Sequence, residues 1–138
     1  MKKAVTFLAA AAAMFSMASC SGNQSIDGHW DFKTLNGEEV VTTEKTPFLE
    51  FDGESGRVHG CLGINIVNGS YTFEDGKLTL GNLGMTMMAG LPEDMAVESA
   101  LGDALKLARG AKVSSDKLSI TDAEGEVILT LERSQEQQ

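Results

Sequence analysis

His59 and Cys61 stand two residues apart at the head of the stretch Gly60 to Tyr71. On a strand that spacing turns both side chains to one face. A thiolate beside an imidazole is the material of nucleophilic catalysis or of metal binding. A nucleophile also needs an orienting group and oxyanion donors, and a structural metal site takes four ligands in most cases. The chain offers one other histidine, His29. The residues therefore favour a buried thiol beside a surface histidine, and no catalytic, metal or cofactor site is assigned. Glu50, Asp52 and Glu54 alternate toward a loop where a weak cation could sit, but the ligand order of an EF-hand is absent and solvated charge is the simpler reading. Met85, Met87, Met88 and Met95 are flexible and polarisable; filling a core is the simpler reading, and lining a groove for a peptide or lipid is the alternative.

Cys20 belongs to a different chemistry. Lys2 and Lys3 precede an uncharged, alanine-rich run from Ala4 to Met14, and the small residues Ala18 and Ser19 lie just before Cys20. This is the pattern of a secretory signal, too short to span a bilayer, which takes about 20 apolar residues. Met17-Ala18-Ser19-Cys20 resembles the lipobox of bacterial lipoproteins. The resemblance implies cleavage before Cys20, a diacylglyceryl thioether on its sulfur and an acylated amino group. Each buried methylene adds about 0.8 kcal/mol of membrane affinity, so two or three chains make a durable anchor. Ser21 resembles the pattern for outer-membrane sorting, which sets the expected location as the envelope, on the outer membrane facing the periplasm. With Cys20 lipidated, Cys61 has no intrachain partner and no structural disulfide is available.

Composition narrows the rest. Removing residues 1–19 takes away Lys2 and Lys3 and no acidic residue, so the formal charge moves from -9 to (11 - 2) - 20 = -11. Such a surface repels phosphate backbones, which argues against nucleic acid as a partner. The charges are interspersed with apolar residues, unlike those of a disordered chain. The expected organisation is a signal over 1–19, a lipidated cysteine and polar tether over 20–25, one domain over 26–133 and a polar tail over 134–138.

The elements that must position these residues read mainly as hairpins. A strand begins near Gly28, with Trp30 and Phe32 alternating against His29, Asp31 and Lys33. Asn36-Gly37 predicts a tight hairpin turn returning through Glu38 to Thr42. Strands follow over Phe48 to Phe51 and Arg57 to Leu62. Ser70 to Phe73 and Leu78 to Leu80 flank a second turn at Asp75-Gly76, and Asn82 to Ala89 is a strand or irregular edge. The last hairpin pairs Lys117 to Thr121 with Glu126 to Leu131. A single helix is predicted from Pro92 to Arg109, with Glu93 and Asp94 at its positive end, Lys106 and Arg109 at its negative end and Gly110 as the stop. Val97, Ala100, Leu101, Ala104, Leu105 and Ala108 form its apolar stripe. Hairpins around one helix indicate an α+β fold with an antiparallel sheet.

The order of these pieces is similar to the META domain family, which includes the HslJ-like heat-inducible lipoproteins. The resemblance is carried by Trp30 with Leu35-Asn36-Gly37, by Gly63-Ile64-Asn65 and Gly69-Ser70-Tyr71, and by Thr86-Met87-Met88-Ala89-Gly90. Met95 to Glu98, opening the helix, and the closing hairpin from Leu118 to Arg133 complete it. It implies a curved antiparallel sheet, partly barrel-like, packed around one α-helix, an envelope location and a link to stress. Trp30, Asn36, Gly37, Gly63, Asn65, Gly69, Tyr71, Thr86, Met88 and Glu98 are then fold-defining positions. Where the family commonly has a cysteine after Gly63 and another after Ala89, this chain has Ile64 and Gly90. Both positions change together, as expected of a pair whose first loss makes the second useless. Cys61 lies three residues before the first position, a shift that reverses its facing on a strand. The expected function is that of a monomeric, non-enzymatic envelope lipoprotein, a binding or interaction module held to the membrane by lipid on Cys20, with an envelope protein or peptide as its partner. The competing readings are an enzyme centred on His59 and Cys61, and an envelope-assembly partner joined through an exposed edge strand.

Overall fold

Strand β1 (Gly28–Leu35) buries Trp30 and Phe32 on one face, as the alternation requires. In this computed structural model residues 25–134 are described; residues 1–24, which include the expected signal, Cys20 and most of the expected tether, and residues 135–138 lie outside them. Asn36 and Gly37 turn the chain with φ of 51° and 85°, the positive pair that a tight hairpin needs. The return strand β2 is only Glu38–Glu39, shorter than the expected run to Thr42, because the residues that follow leave the sheet to meet the helix. β3 (Phe48–Asp52) and β4 (Arg57–Cys61) form the next hairpin. β5 (Ile66–Glu74) begins four residues earlier than expected and is the longest strand at nine residues. β6 (Lys77–Leu80) pairs with its second half, and β7 (Gly84–Met85) with its first half on the same side.

Helix α1 (Pro92–Leu107) follows, with Pro92 in its first turn and Ala108 already extended at its end. Its buried positions include Leu101, Ala104 and Leu105 from the expected stripe, whereas Val97 and Ala100 are only half-buried. The chain passes directly into β8 (Gly110–Ser114), a strand missing from the sequence reading, where Gly110 served only as a stop. Ser115, at φ 59°, turns it into β9 (Lys117–Thr121), and β10 (Val127–Arg133) ends the fold.

All pairings are antiparallel, in the order β1-β3-β4-β5-β6-β8-β9-β10, and β10 returns to β1 through Trp30 opposite Arg133. The sheet thus closes into an eight-stranded barrel, with β2 and β7 as additions. Its core joins inward residues of the strands, among them Trp30, Leu49, Phe51, Leu118 and Leu131, to Leu101 and Leu105 of α1. Closure is uneven. Between β6 and β8 only Lys77 and Gly110 are in register, flanked by bonds from Leu78 N–H to the Arg109 carbonyl and from Ala111 N–H to the Gly76 carbonyl. Beyond that short seam the two strands part, and α1 lies along the opening.

Candidate functional site

The opening is a cleft of about 1180 Å³ between α1 and the continuous edge formed by β6, the crossing at Gly81 to Leu83, and β7. Its floor is buried and apolar, with Leu62, Val67, Leu105 and Ala108. Its rim carries Met85, Met87, Met88 and Met95, all exposed, Met87 to 91%. Methionines that would fill a core are buried; these four instead surround an opening.

A buried polar network fixes the floor and rim to each other. Asn65 and Glu98 are both buried, the latter 8% exposed. Glu98 Oε1 accepts the backbone N–H groups of Ile64 at 3.0 Å and Asn65 at 2.7 Å, and Oε2 accepts Asn65 Nδ2 at 2.6 Å. Asn65 then holds the methionine segment: Nδ2 donates to the Met88 carbonyl, and Oδ1 accepts from Met88 N–H at 2.6 Å and from the Thr86 hydroxyl at 2.9 Å. The Thr86 oxygen in turn accepts Ile66 N–H at 3.0 Å. An amide that offers both donors and an acceptor can mimic a strand edge, and Asn65 does so for the chain at residues 86–88. A second acid on the buried face, Asp94 (2% exposed), accepts Thr43 N–H and the Thr43 hydroxyl at 2.9 and 2.7 Å. It clamps the loop after β2 to the helix. Asp94 stands in the first turn of the helix, as its charge predicts, but its side chain is buried against the loop after β2. The signal was present in the spacing, since 94, 98, 101 and 105 share one helix face.

The other singled-out residues sit as follows. Trp30 is wholly buried, donates Nε1–H to the Ile26 carbonyl at 2.8 Å and carries the Arg133 guanidinium 4.1 Å above its ring. Gly63, at φ 123°, turns the chain between Cys61 and Asn65. Gly69 lies under the crossing from β6 to β7: a Cβ there would stand 2.9 Å from the Asn82 carbonyl oxygen and 2.8 Å from Leu83 Cδ2. Tyr71 packs edge-on to Phe51 and donates to Asp27 at 3.4 Å. Burial, then the negative charge and hydrogen bond of Asp27 and the charge of Asp52, push its phenol up to about 12. Ile64 and Gly90 are in contact, since a Cβ at Gly90 would lie 2.6 Å from Ile64 Cδ1 and 2.9 Å from Cγ1.

His59 and Cys61 share β4 but differ in burial and in partners. Cys61 is 3% exposed and its sulfur accepts Gly63 N–H at 3.4 Å, while the exposed His59 ring lies 3.7 Å from Glu50. Glu50 also meets His29 Nδ1 at 3.5 Å, and Asp52 accepts Glu54 N–H, so the three acids do not converge. Among the described residues no group of three or more histidines, cysteines or acids could hold a metal ion, and no helix is long and apolar enough to cross a membrane.

Comparison with known proteins agrees with the architecture. The META domain family model matches residues 23–135. A solution structure of a protein from Burkholderia xenovorans is 26% identical, with a TM-score of 0.66, covering 93% of this chain and 94% of that one. A crystal structure of a DUF4847 family protein from Bacteroides vulgatus shares the fold at 13% identity and a TM-score of 0.55, over 80% of this chain and 95% of that one. No curated protein matches.

Proposed function

We propose, from the premise that this chain belongs to the META domain family, that it is a non-enzymatic binding module of the bacterial envelope whose site is the methionine-rimmed cleft. The observation that carries this reading is an apolar floor held open beside a helix by the Asn65–Glu98 network. A core would have collapsed over such a space, since interiors pack to crystal-like density. The module is a monomer, tethered by lipid on Cys20 at the periplasmic side of the outer membrane, and works in envelope stress. It acts without catalysis, metal or cofactor.

The experiment is binding of an environment-sensitive apolar dye to the purified protein. Met87→Asp and Met95→Asp, both at exposed positions, are expected to weaken it about tenfold or more by charging the apolar rim, with the unfolding midpoint unchanged. Equal binding by wild type and both variants sinks the cleft as the site. The anchor is read separately, by partition with membranes: Cys20→Ser protein that still sediments with them defeats the lipid assignment.

A further inference from the structure

The cleft wall is an unpaired strand edge. Gly81 N–H goes back to the Ser70 carbonyl, so antiparallel alternation turns the backbone groups of Leu78 and Leu80 away from β5. Leu78 N–H meets the Arg109 carbonyl, but among the described residues no backbone bond takes up Leu80 N–H. Thr86 N–H bonds the Ile66 carbonyl and Met88 N–H bonds Asn65, which turns Met85 and Met87 outward by the same alternation. Leu80, Met85 and Met87 therefore offer donors and acceptors along one edge, and all three line the cleft. An acyl chain laid there would strip water from these groups and give no hydrogen bond in return. A polypeptide strand would satisfy them.

The end of the cleft selects which part of a polypeptide. At the seam, β6 and β8 zip together at Lys77 and Gly110, so an added strand cannot continue past it within the sheet. A strand antiparallel to β6, the only orientation this sheet uses, runs toward that seam and arrives with its C-terminal end. Two cations wait there in an otherwise strongly acidic protein. Lys106 is exposed and only 3.9 Å from the equally exposed Asp103; Arg109 uses Nη1 on the Lys106 and Ala108 carbonyls.

We infer that the cleft receives the extended C-terminal segment of another polypeptide, added antiparallel to the β6–β7 edge, with alternate apolar side chains against the methionine rim and its terminal carboxylate at Arg109 and Lys106. About six to eight residues span the edge. This rests on the cleft being the binding site, and the test separates the two.

A random octapeptide library displayed with free C-termini is selected on the purified protein, and enriched peptides are synthesised as acids, as C-terminal amides and with alternate backbone nitrogens methylated. Hydrogen exchange is followed residue by residue, with dodecanoate as the acyl comparison. The acids are expected to slow amide exchange at Leu80, Met85 and Met87 about tenfold or more. The amides should bind about tenfold more weakly, a difference that disappears in Lys106→Gln/Arg109→Gln protein. Methylation should weaken binding in one alternation register only. No enriched peptide, or protection confined to another edge such as Glu38–Glu39, overturns the inference. If dodecanoate or the apolar dye still occupies the cleft, the binding-module reading stands without it; if nothing occupies the cleft, both fall.

Discussion

Glu98 shows how one carboxylate can hold a fold together at a point where no strand pairing is available. It accepts three N–H donors from Ile64 and Asn65. In Glu98→Ala two backbone donors lose their acceptor in a buried setting, which should lower stability by about 3 kcal/mol or more. Glu98→Gln keeps one oxygen for those donors but sets an NH2 against Asn65 Nδ2, so a smaller loss of about 1–2 kcal/mol is expected. Urea unfolding of both variants checks the order; equal losses would show that the carboxylate does not act through these bonds. Tyr71 makes the second prediction at this scale. Its phenol is pushed up to about 12 in the fold, above the ordinary value of 10.0. Between these values the unfolded chain loses the proton and the native state keeps it. Stability is thus undiminished by this group below pH 10 and falls as pH rises toward 12. As the only tyrosine, it can be followed by tyrosinate absorbance: a native midpoint near that of the unfolded chain would refute the burial of its hydroxyl.

At the scale of elements, the hairpins were legible because their turns are chemically specific. Asn36-Gly37 and Asp75-Gly76 both adopt positive φ at each central residue, which few residue pairs tolerate. β8 was not legible, since Ala111 and Val113 give only two apolar alternations and the preceding Gly110 mimics a helix stop. The start of β5 was hidden for another reason. Ile66 is exposed and Val67 buried, but the glycines and asparagines around them read as a turn-rich crossing. The site was half legible. Asn65, Thr86, Met88 and Glu98 entered through a resemblance in sequence, and their meeting in one network is a fact of three dimensions. The contact of Ile64 with Gly90 allows a third prediction. Ile64→Cys/Gly90→Cys should form a disulfide on oxidation, because the Gly90 Cβ and Ile64 Cγ1 positions already stand 2.9 Å apart, close to the reach of a bridged pair. The oxidised form should exceed the reduced one by about 3.5 kcal/mol in the chain-entropy account. A double variant that stays reduced under oxidant would contradict the placement of the methionine segment on β5.

For the whole molecule, the barrel is a circuit with one weak join. Seven of its eight junctions are extended ladders, whereas β6 and β8 share a single registered pair and its two flanking bonds. Amide exchange at Leu78 and Ala111 is therefore expected to outpace that along the β1–β10 and β9–β10 ladders, where exchange requires opening the core. Comparable protection at all junctions would mean that α1 seals the join. The acidic surface belongs to this scale as well. Net charge is a property of the whole chain, while the local exception at Lys106 and Arg109 takes its place beside the cleft only once the helix end is set against the seam.

The pairing of Trp30 with Arg133 also governs when this protein can close its barrel during synthesis. The first long strand needs the last as its neighbour, so a chain emerging N-terminus first has no closed barrel to adopt until residue 133 is free. Until then it carries a row of hairpins without a completed core, and the cost of joining its distant ends is deferred to the final step. Such a chain stays open for as long as its last strand is held back, as it is while the ribosome still covers the C-terminal residues. Release and folding become the same event.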